Sequence, residues 1–252
     1  MRVLRVLRFE VHDPFYNMAL DEAIARSVGK GSSPPTLRLY GWSTRAVSLG
    51  YFQEVLEEVN VEFCRRAGIE IVRRITGGGA VLHTEGELTY SFAVSDDGSY
   101  VTGDIEESYR RICAPIISCI RRLGGEATFR PINDIEIAGR KVSGNAQTRR
   151  FGAVLQHGTL LLSMDYSLLR ALRPRSEKLR EKGVSEVGGR VTTLKEVLDF
   201  EPKREFVAEI LAEEFGRLFG AELEEGTTTD RERETARDLV LKYRSQEWTF
   251  RR

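Results

Sequence analysis

The sequence predicts an α+β fold with a mostly antiparallel or mixed β-sheet, within one domain spanning residues 1–252. Strand patterns cluster in the first two-thirds of the chain and helical patterns fall between and after them. No internal repeat, low-complexity tract or Pro/Gly-rich linker divides it. Residues 1–9 interleave charge with apolar side chains and read as a strand, not as a signal peptide. Met18, Ala19, Ala23 and Ile24, with Phe15 before them, supply the apolar stripe of a helix over 16–27. Ser32-Ser33-Pro34-Pro35 is a loop, and 37–40 and 46–49 are strands between glycines. Asn60 caps a short helix through Arg66, closed by Gly68, before strands at 69–73 and 88–94. A long helix opens at Gly103-Asp104 and runs to Leu123, where Gly124-Gly125 ends it. Pro115 inside it is expected to kink or split it. Strands at 134–137, 141–146 and 154–162 follow, then helices at 166–172, 193–198, 203–219 and 230–244.

Composition narrows the function classes. Thirty-eight Lys plus Arg balance 38 Asp plus Glu, which argues against the basic face that broad nucleic-acid binding needs but leaves a small anionic ligand open. No apolar run approaches the ~18–20 residues of a membrane span, so no membrane partner is expected. Cys64, Cys113 and Cys119 are odd in number and lack metal-ligand spacing. They read as core residues of a protein in a reducing cytoplasm, with Cys113 and Cys119 on different faces of their helix. Only seven residues are Lys against 31 Arg, and Lys141 is alone between Lys30 and Lys178. Keeping a lysine there suits a compact ammonium better than a planar fork.

Two segments carry candidate chemistry. In Arg73-Arg74-Ile75-Thr76-Gly77-Gly78-Gly79-Ala80-Val81-Leu82-His83, a glycine triplet follows a strand that ends in two arginines. Glycines let backbone N–H groups turn toward one point, and guanidinium groups beside them favour a phosphate or carboxylate. A solvated turn is the plainer reading. The segment fits neither a Walker loop nor a dinucleotide fingerprint. In Asn133-Asp134-Ile135-Glu136-Ile137-Ala138-Gly139-Arg140-Lys141-Val142-Ser143-Gly144-Asn145, a hairpin around Ala138-Gly139 pairs Ile137 with Arg140, Glu136 with Lys141, Ile135 with Val142 and Asp134 with Ser143. Asp134, Glu136, Lys141 and Ser143 then share one face and the aliphatic residues the other, although an exposed ion-paired face would look the same. His83 and His157 lack partners at zinc-ligand spacing and read first as hydrogen-bonded structural histidines. No Gly-x-Ser-x-Gly elbow is present.

These motifs, with His157-Gly158-Thr159-Leu160-Leu161-Leu162, resemble the lipoate–protein ligase A family. The flanks agree: Asn17-Met18-Ala19-Leu20-Asp21-Glu22, Lys182-Gly183-Val184, Arg190-Val191-Thr192-Thr193-Leu194 and Glu247-Trp248. The resemblance covers essentially the whole chain. It implies a biotin/lipoyl-ligase fold, a mixed β-sheet flanked by helices, related to class II aminoacyl-tRNA synthetases. It also implies a two-step ligase: Mg2+ with ATP and lipoate (or octanoate) gives acyl-adenylate, and a lysine of an acceptor lipoyl domain, in 2-oxoacid dehydrogenases or the glycine-cleavage H protein, then takes the acyl group. By that resemblance Arg74, Gly79, Ala80, Val81 and Leu82 hold the nucleotide. Lys141 is catalytic and touches both ATP and lipoate, Gly77, Gly78, His83 and His157 line the lipoate pocket, and Asp134 faces the metal. Many ligases of this family carry an accessory domain after the Glu-Trp segment, so an accessory subunit on a separate polypeptide is expected here. Related octanoyltransferases instead use a cysteine and no ATP; in the similar subgroup it lies shortly before the lysine hairpin. Residues 124–132 contain no Cys. An octanoyl-carrier-dependent octanoyltransferase is the alternative enzyme, and a non-catalytic binder of acyl-adenylate or lipoyl domains is the alternative class. The arginine-rich glycine loop of biotin ligases is missing.

Overall fold

The structure is a computed structural model that describes residues 2–173 and 187–252; the Lys182-Gly183-Val184 motif lies outside them. Its main sheet has eight strands, and a second has three. In chain order the strands are β1 (Arg2–His12), β2 (Thr36–Trp42), β3 (Ala46–Leu49), β4 (Glu70–Arg73), β5 (Val81–His83), β6 (Glu87–Ser95), β7 (Ala127–Arg130), β8 (Asp134–Ile137), β9 (Arg140–Arg150), β10 (Ala153–Leu161) and β11 (Ala221–Gly226). The main sheet runs β11-β1-β2-β6-β10-β9-β8-β7 and the small one β4-β3-β5. β1 is parallel to both β2 and β11, whereas β6, β10, β9, β8 and β7 follow one another antiparallel. Of the two arrangements the strand pattern left open, the sheet is the mixed one that the family resemblance implies.

Helices cover both faces. α1 (Pro14–Gly29) starts earlier than the apolar stripe suggests, because Asp13 caps it through the N–H groups of Phe15 and Tyr16, and Pro14 occupies its first turn. α2 (Val55–Glu58) and α3 (Val61–Ala67) flank the small sheet; Asn60 caps α3, and Gly68 closes it in the left-handed conformation at φ 64°. α4 (Ile105–Arg122) is one helix across Pro115, not the two pieces that proline could have made. One backbone hydrogen bond is lost there, but Ile112, Cys113 and Ile116 on either side are buried in the core and hold both halves in place.

The tail contains α5 (Leu194–Leu198), α6 (Arg204–Phe219), α7 (Asp230–Arg244) and α8 (Gln246–Thr249). The expected helix at 166–172 is a 3-10 helix over Tyr166–Ala171. α4 and α6 pack Ile112, Ile116, Val207 and Phe215 against one sheet face, with Leu4, Leu37 and Phe92. α1 and α7 pack on the other, where Ala23, Ile24, Ala236 and Tyr243 meet Leu7 and Tyr40. Strand β11 escapes sequence reading because Ala-Glu-Leu-Glu-Glu-Gly does not look like a strand; its parallel register with β1 makes it one. No described helix is long and apolar enough to cross a membrane.

Candidate active site

The two adjacent arginines have different fates. Successive residues at the end of a strand point to opposite sides. Arg73 turns away from the glycines, is fully buried, and donates to the carbonyls of Gly50, Tyr51, Gln53, Trp248 and Thr249. It ties α8 to the loop after β3 and lines neither of the two cavities beside the glycines, so the expectation of two guanidiniums beside one anion reduces to one. Arg74 turns toward the glycines. Its Nε donates to Thr76 Oγ1 (3.1 Å), Nη1 to Ser48 O (2.8 Å), and Nη2 to Gly77 O and Gly79 O (both 2.7 Å). No carboxylate pairs with it among the described residues, unlike buried Arg5 and Arg38, which meet Glu232 and Asp21. Burial pulls its pKa down to about 10. A charged guanidinium there is a cation waiting for an anion. Gly78, at φ 88°, lets the loop fold over Arg74 Nη2.

The lysine hairpin forms with Ala138 and Gly139 both at positive φ in its turn, as a two-residue hairpin loop requires. Glu136–Lys141 and Ile137–Arg140 pair as expected. A bulge then moves Ile135 opposite Ser143 and Asp134 opposite Gly144. The extra residue, Val142, is buried with Ile135 and Ile137 in the core, which fixes the aliphatic face. The polar face does not stay together. Glu136 pairs with Arg130 (3.0 Å), and Ser143 is buried. What remains is Lys141 Nζ against Asp134 Oδ1 at 2.6 Å, both partly exposed. Gly144 makes room for this ammonium, since a Cβ at 144 would stand 2.5 Å from Lys141 Cε and Nζ.

Lys141 stands where two cavities meet. The first is walled by Met18, Tyr40 and Trp42 and also lined by Arg74, His83 and His157. The second has apolar walls from Leu82, Leu161, Met164, Leu169 and Val191, with Asp134 and Arg190 at its polar side. Ala80, Val81, Lys141, Gly144 and Thr159 line both, and Gly79 lines the first. The structure therefore brings Arg74, Gly79, Ala80, Val81, Leu82, His83, Asp134, Lys141 and His157 around one divided cleft. Gly77 and Gly78 line neither cavity; Gly77 holds Arg74 through its carbonyl.

Both histidines are hydrogen-bonded at both ring nitrogens. His83 meets Ser48 Oγ and Glu87 Oε1, each at 2.7 Å, and stacks on Trp42 with centroids 3.9 Å apart. His157 meets Thr76 Oγ1 at 2.7 Å and Asp21 Oδ2 at 3.0 Å. Asp21 also accepts from Arg38 Nη1 (2.8 Å) and the Tyr40 hydroxyl (2.9 Å). Burial alone would raise the Asp21 carboxyl, but the His157 hydrogen bond and the Arg38 charge hold it below its usual value. Burial also depresses the His157 pKa, against the pull of Asp21. Sequence reading missed Tyr40 and Trp42 as parts of this wall, and Arg38 behind it as the partner of Asp21. Asp21 was visible only inside a flanking motif.

All three cysteines are free and buried, including Cys113 and Cys119, because α4 is covered by both the sheet and α6. Burial pushes the Cys64 thiol up to about 11 and those of Cys113 and Cys119 up to about 12. None lines either cavity. No group of three His, Cys, Asp or Glu residues able to hold a metal occurs among the described residues. Asp134 is the carboxylate that faces the cleft from the lysine hairpin.

Comparison with known proteins agrees with this geometry. The family model of the lipoyl protein ligase A/B catalytic domain matches residues 13–216. Over the full length of both chains, the sequence is 37% identical to the octanoyltransferase LipM of Kyrpidia tusciae. It is 32% identical to a bi-partite lipoate protein ligase of Thermoplasma acidophilum, with a TM-score of 0.86 over 99% of this chain and 96% of that one. A lipoate-protein ligase A bound with ATP gives 29% identity and a TM-score of 0.85 over 99% of each chain. The α+β fold is thus that of the lipoate ligases, biotin-ligase-like and related to class II synthetases. This chain belongs to the lipoyl protein ligase A/B catalytic-domain family.

Proposed function

We propose that this protein is an ATP-dependent lipoate–protein ligase that activates lipoate or octanoate as acyl-adenylate and transfers the acyl group to a lysine of acceptor lipoyl domains. The observation that carries this reading over octanoyl transfer is the state of the thiols. An acyl-thioester route needs a thiolate in reach of the substrate, and every cysteine here is buried away from the cleft with a raised pKa. The competing reading, octanoyl-carrier-protein:protein octanoyltransferase, is favoured by relatives such as the LipM of Kyrpidia tusciae.

In the first step the substrate carboxylate oxygen attacks the α-phosphorus of ATP and pyrophosphate leaves. In the second the acceptor amine attacks the acyl carbon, loses a proton, and AMP leaves. Both steps gather negative charge where the cavities meet. Lys141 supplies a compact cation there, and Arg74, which has no carboxylate partner among the described residues, supplies a second within the first cavity. Gly79, Ala80, Val81 and Leu82 would face the nucleotide, and His83 and His157, which line the first cavity with Trp42 and Met18, would form the polar side of the acyl site. Gly77 and Gly78 serve that cavity through Arg74. Magnesium typically takes one or two carboxylates plus substrate phosphates. Asp134 fits that pattern as a single carboxylate and would hold the ion that screens the triphosphate. The partners are lipoyl-domain proteins and, by similarity to the bi-partite ligase of Thermoplasma acidophilum, a separate accessory subunit. Free buried thiols suit a cytoplasmic setting.

The thiol argument is tested with Cys64, Cys113 and Cys119 all replaced by alanine. Transfer from synthetic lipoyl-adenylate to a lipoyl domain is expected to persist within a few-fold, and no hydroxylamine-labile acyl-protein should be trapped on the parent chain. An acyl-cysteine that forms on the parent and vanishes with activity in the variant would establish the octanoyltransferase instead.

A further inference from the structure

Arg74 has no carboxylate in contact among the described residues, yet two carboxylates stand one histidine and one hydroxyl away from it. The first chain runs from Asp21 Oδ2 to His157 Nδ1 (3.0 Å), from His157 Nε2 to Thr76 Oγ1 (2.7 Å), and from Thr76 Oγ1 to Arg74 Nε (3.1 Å). The second runs from Glu87 Oε1 to His83 Nδ1 and from His83 Nε2 to Ser48 Oγ (both 2.7 Å), then to Arg74 Nη1 (3.2 Å). Every member of both chains is buried. The other carboxylate oxygen of Glu87 has no hydrogen-bond partner among the described residues. The direction of the first chain follows from its ends, because a carboxylate only accepts and a guanidinium only donates. Asp21, whose carboxyl is held below its usual value, takes the proton of His157 Nδ1. Arg74 Nε uses a lone pair of Thr76. Burial depresses the His157 pKa, so the ring is neutral and its Nε2 accepts the one proton of the Thr76 hydroxyl. A reversed chain would turn that proton toward the Arg74 N–H.

We infer that Asp21 is a positioning residue for Arg74, acting through the His157 tautomer and the Thr76 hydroxyl, with Glu87, His83 and Ser48 as a matching second arm. The two relays keep negative charge near a buried guanidinium without pairing it, so its positive charge stays available to the first cavity. They also seat it. From that seat Arg74 holds the glycine loop through Gly77 O and Gly79 O, and Gly79 lines the cavity. The assignment rests on the reading of the first cavity as the acyl site.

The test joins calorimetric titration of octanoate to the histidine tautomers, read by nitrogen-15 NMR in a chain with only three histidines. The parent is expected to carry the His157 proton on Nδ1. In Asp21→Asn the amide oxygen turns to Arg38, which only donates, and the amide N–H groups face His157 Nδ1. The proton should then move to Nε2, as exchanging carboxylate for amide does in a catalytic triad whose geometry stays intact. Octanoate binding should weaken about tenfold, the loss of a hydrogen bond to a charged group. Loss of the Asp21 charge by itself would strengthen it. Thr76→Val leaves the Arg38–Asp21 pair whole and should weaken binding as much, Thr76→Ser should restore it, and Asp21→Asn/Thr76→Val should be no weaker than either single variant. An unchanged tautomer or undiminished octanoate affinity in folded Asp21→Asn overturns the relay, and so does Thr76→Val within twofold of the parent. Failure of the parent itself to bind octanoate overturns the acyl-site reading and this role with it.

Discussion

Replacing Lys141 by arginine is expected to lower adenylate formation and transfer by about 10²–10³-fold, the effect of removing one preorganised charge donor, about 2.7–4 kcal/mol. The fold should survive, because Lys141 is a partly exposed residue of a hairpin whose stability resides in Ile135, Ile137 and Val142. Charge is conserved in this variant, so its failure would be geometric. The ammonium sits in space left open by Gly144, where even one added carbon would stand 2.5 Å away. A guanidinium is wider, and it would tend to form a fork with the Asp134 carboxylate instead of bridging oxygens of two different groups. The check is single-turnover transfer from synthetic lipoyl-adenylate together with thermal unfolding. Near-normal turnover in a folded Lys141→Arg protein would remove Lys141 from the chemistry.

The second large effect falls on stability. Arg38→Met is expected to destabilise the protein by about 3–5 kcal/mol, the cost of breaking a buried ion pair from one side. Arg38 and Asp21 are both essentially inaccessible to solvent and 2.8 Å apart. The Arg38 guanidinium also lies 3.8 Å over the Tyr40 ring, and Asp21 orients His157 at the wall of the acyl cavity. Methionine fills much of the volume but leaves Asp21 with no cation beyond a histidine whose pKa is itself depressed. Urea unfolding measures the loss, and Arg38→Met/Asp21→Asn should recover part of it, because the stranded charge is then absent. A single variant within about 1 kcal/mol of the parent would show that the pair is not the organising contact it looks like; surface pairs are worth that little.

The legible parts of this protein were those fixed by short-range pattern. The hairpin turn at Ala138-Gly139 was readable because a glycine separates two runs in which apolar and polar residues alternate, although Ala138 itself takes a positive φ that alanine seldom adopts. The aliphatic side of that hairpin was readable because alternation puts Ile135 and Ile137 on one face. The bulge at Val142 was not, since it arises where the core claims one more residue than a regular ladder supplies. The arginine pair shows the same limit. That neighbouring strand residues diverge could have been stated from sequence, but which one faced the cleft depends on α8, some 175 positions away, whose carbonyls claim Arg73. The His157–Asp21 contact spans 136 positions, and nothing local at either residue announces it. Pro115 does not split α4, because burial on both sides of it outweighs one lost hydrogen bond.

The most direct test of the ligase reading offers two acyl donors in parallel. The purified chain is mixed with an apo lipoyl domain and either synthetic lipoyl-adenylate or octanoyl-acyl carrier protein, and the intact mass of the domain is followed. This arrangement bypasses any accessory subunit needed to make the adenylate. The account predicts modification from the adenylate, abolished by Lys141→Arg, and none from the carrier thioester. Modification from the thioester without nucleotide, and none from the adenylate, would contradict it.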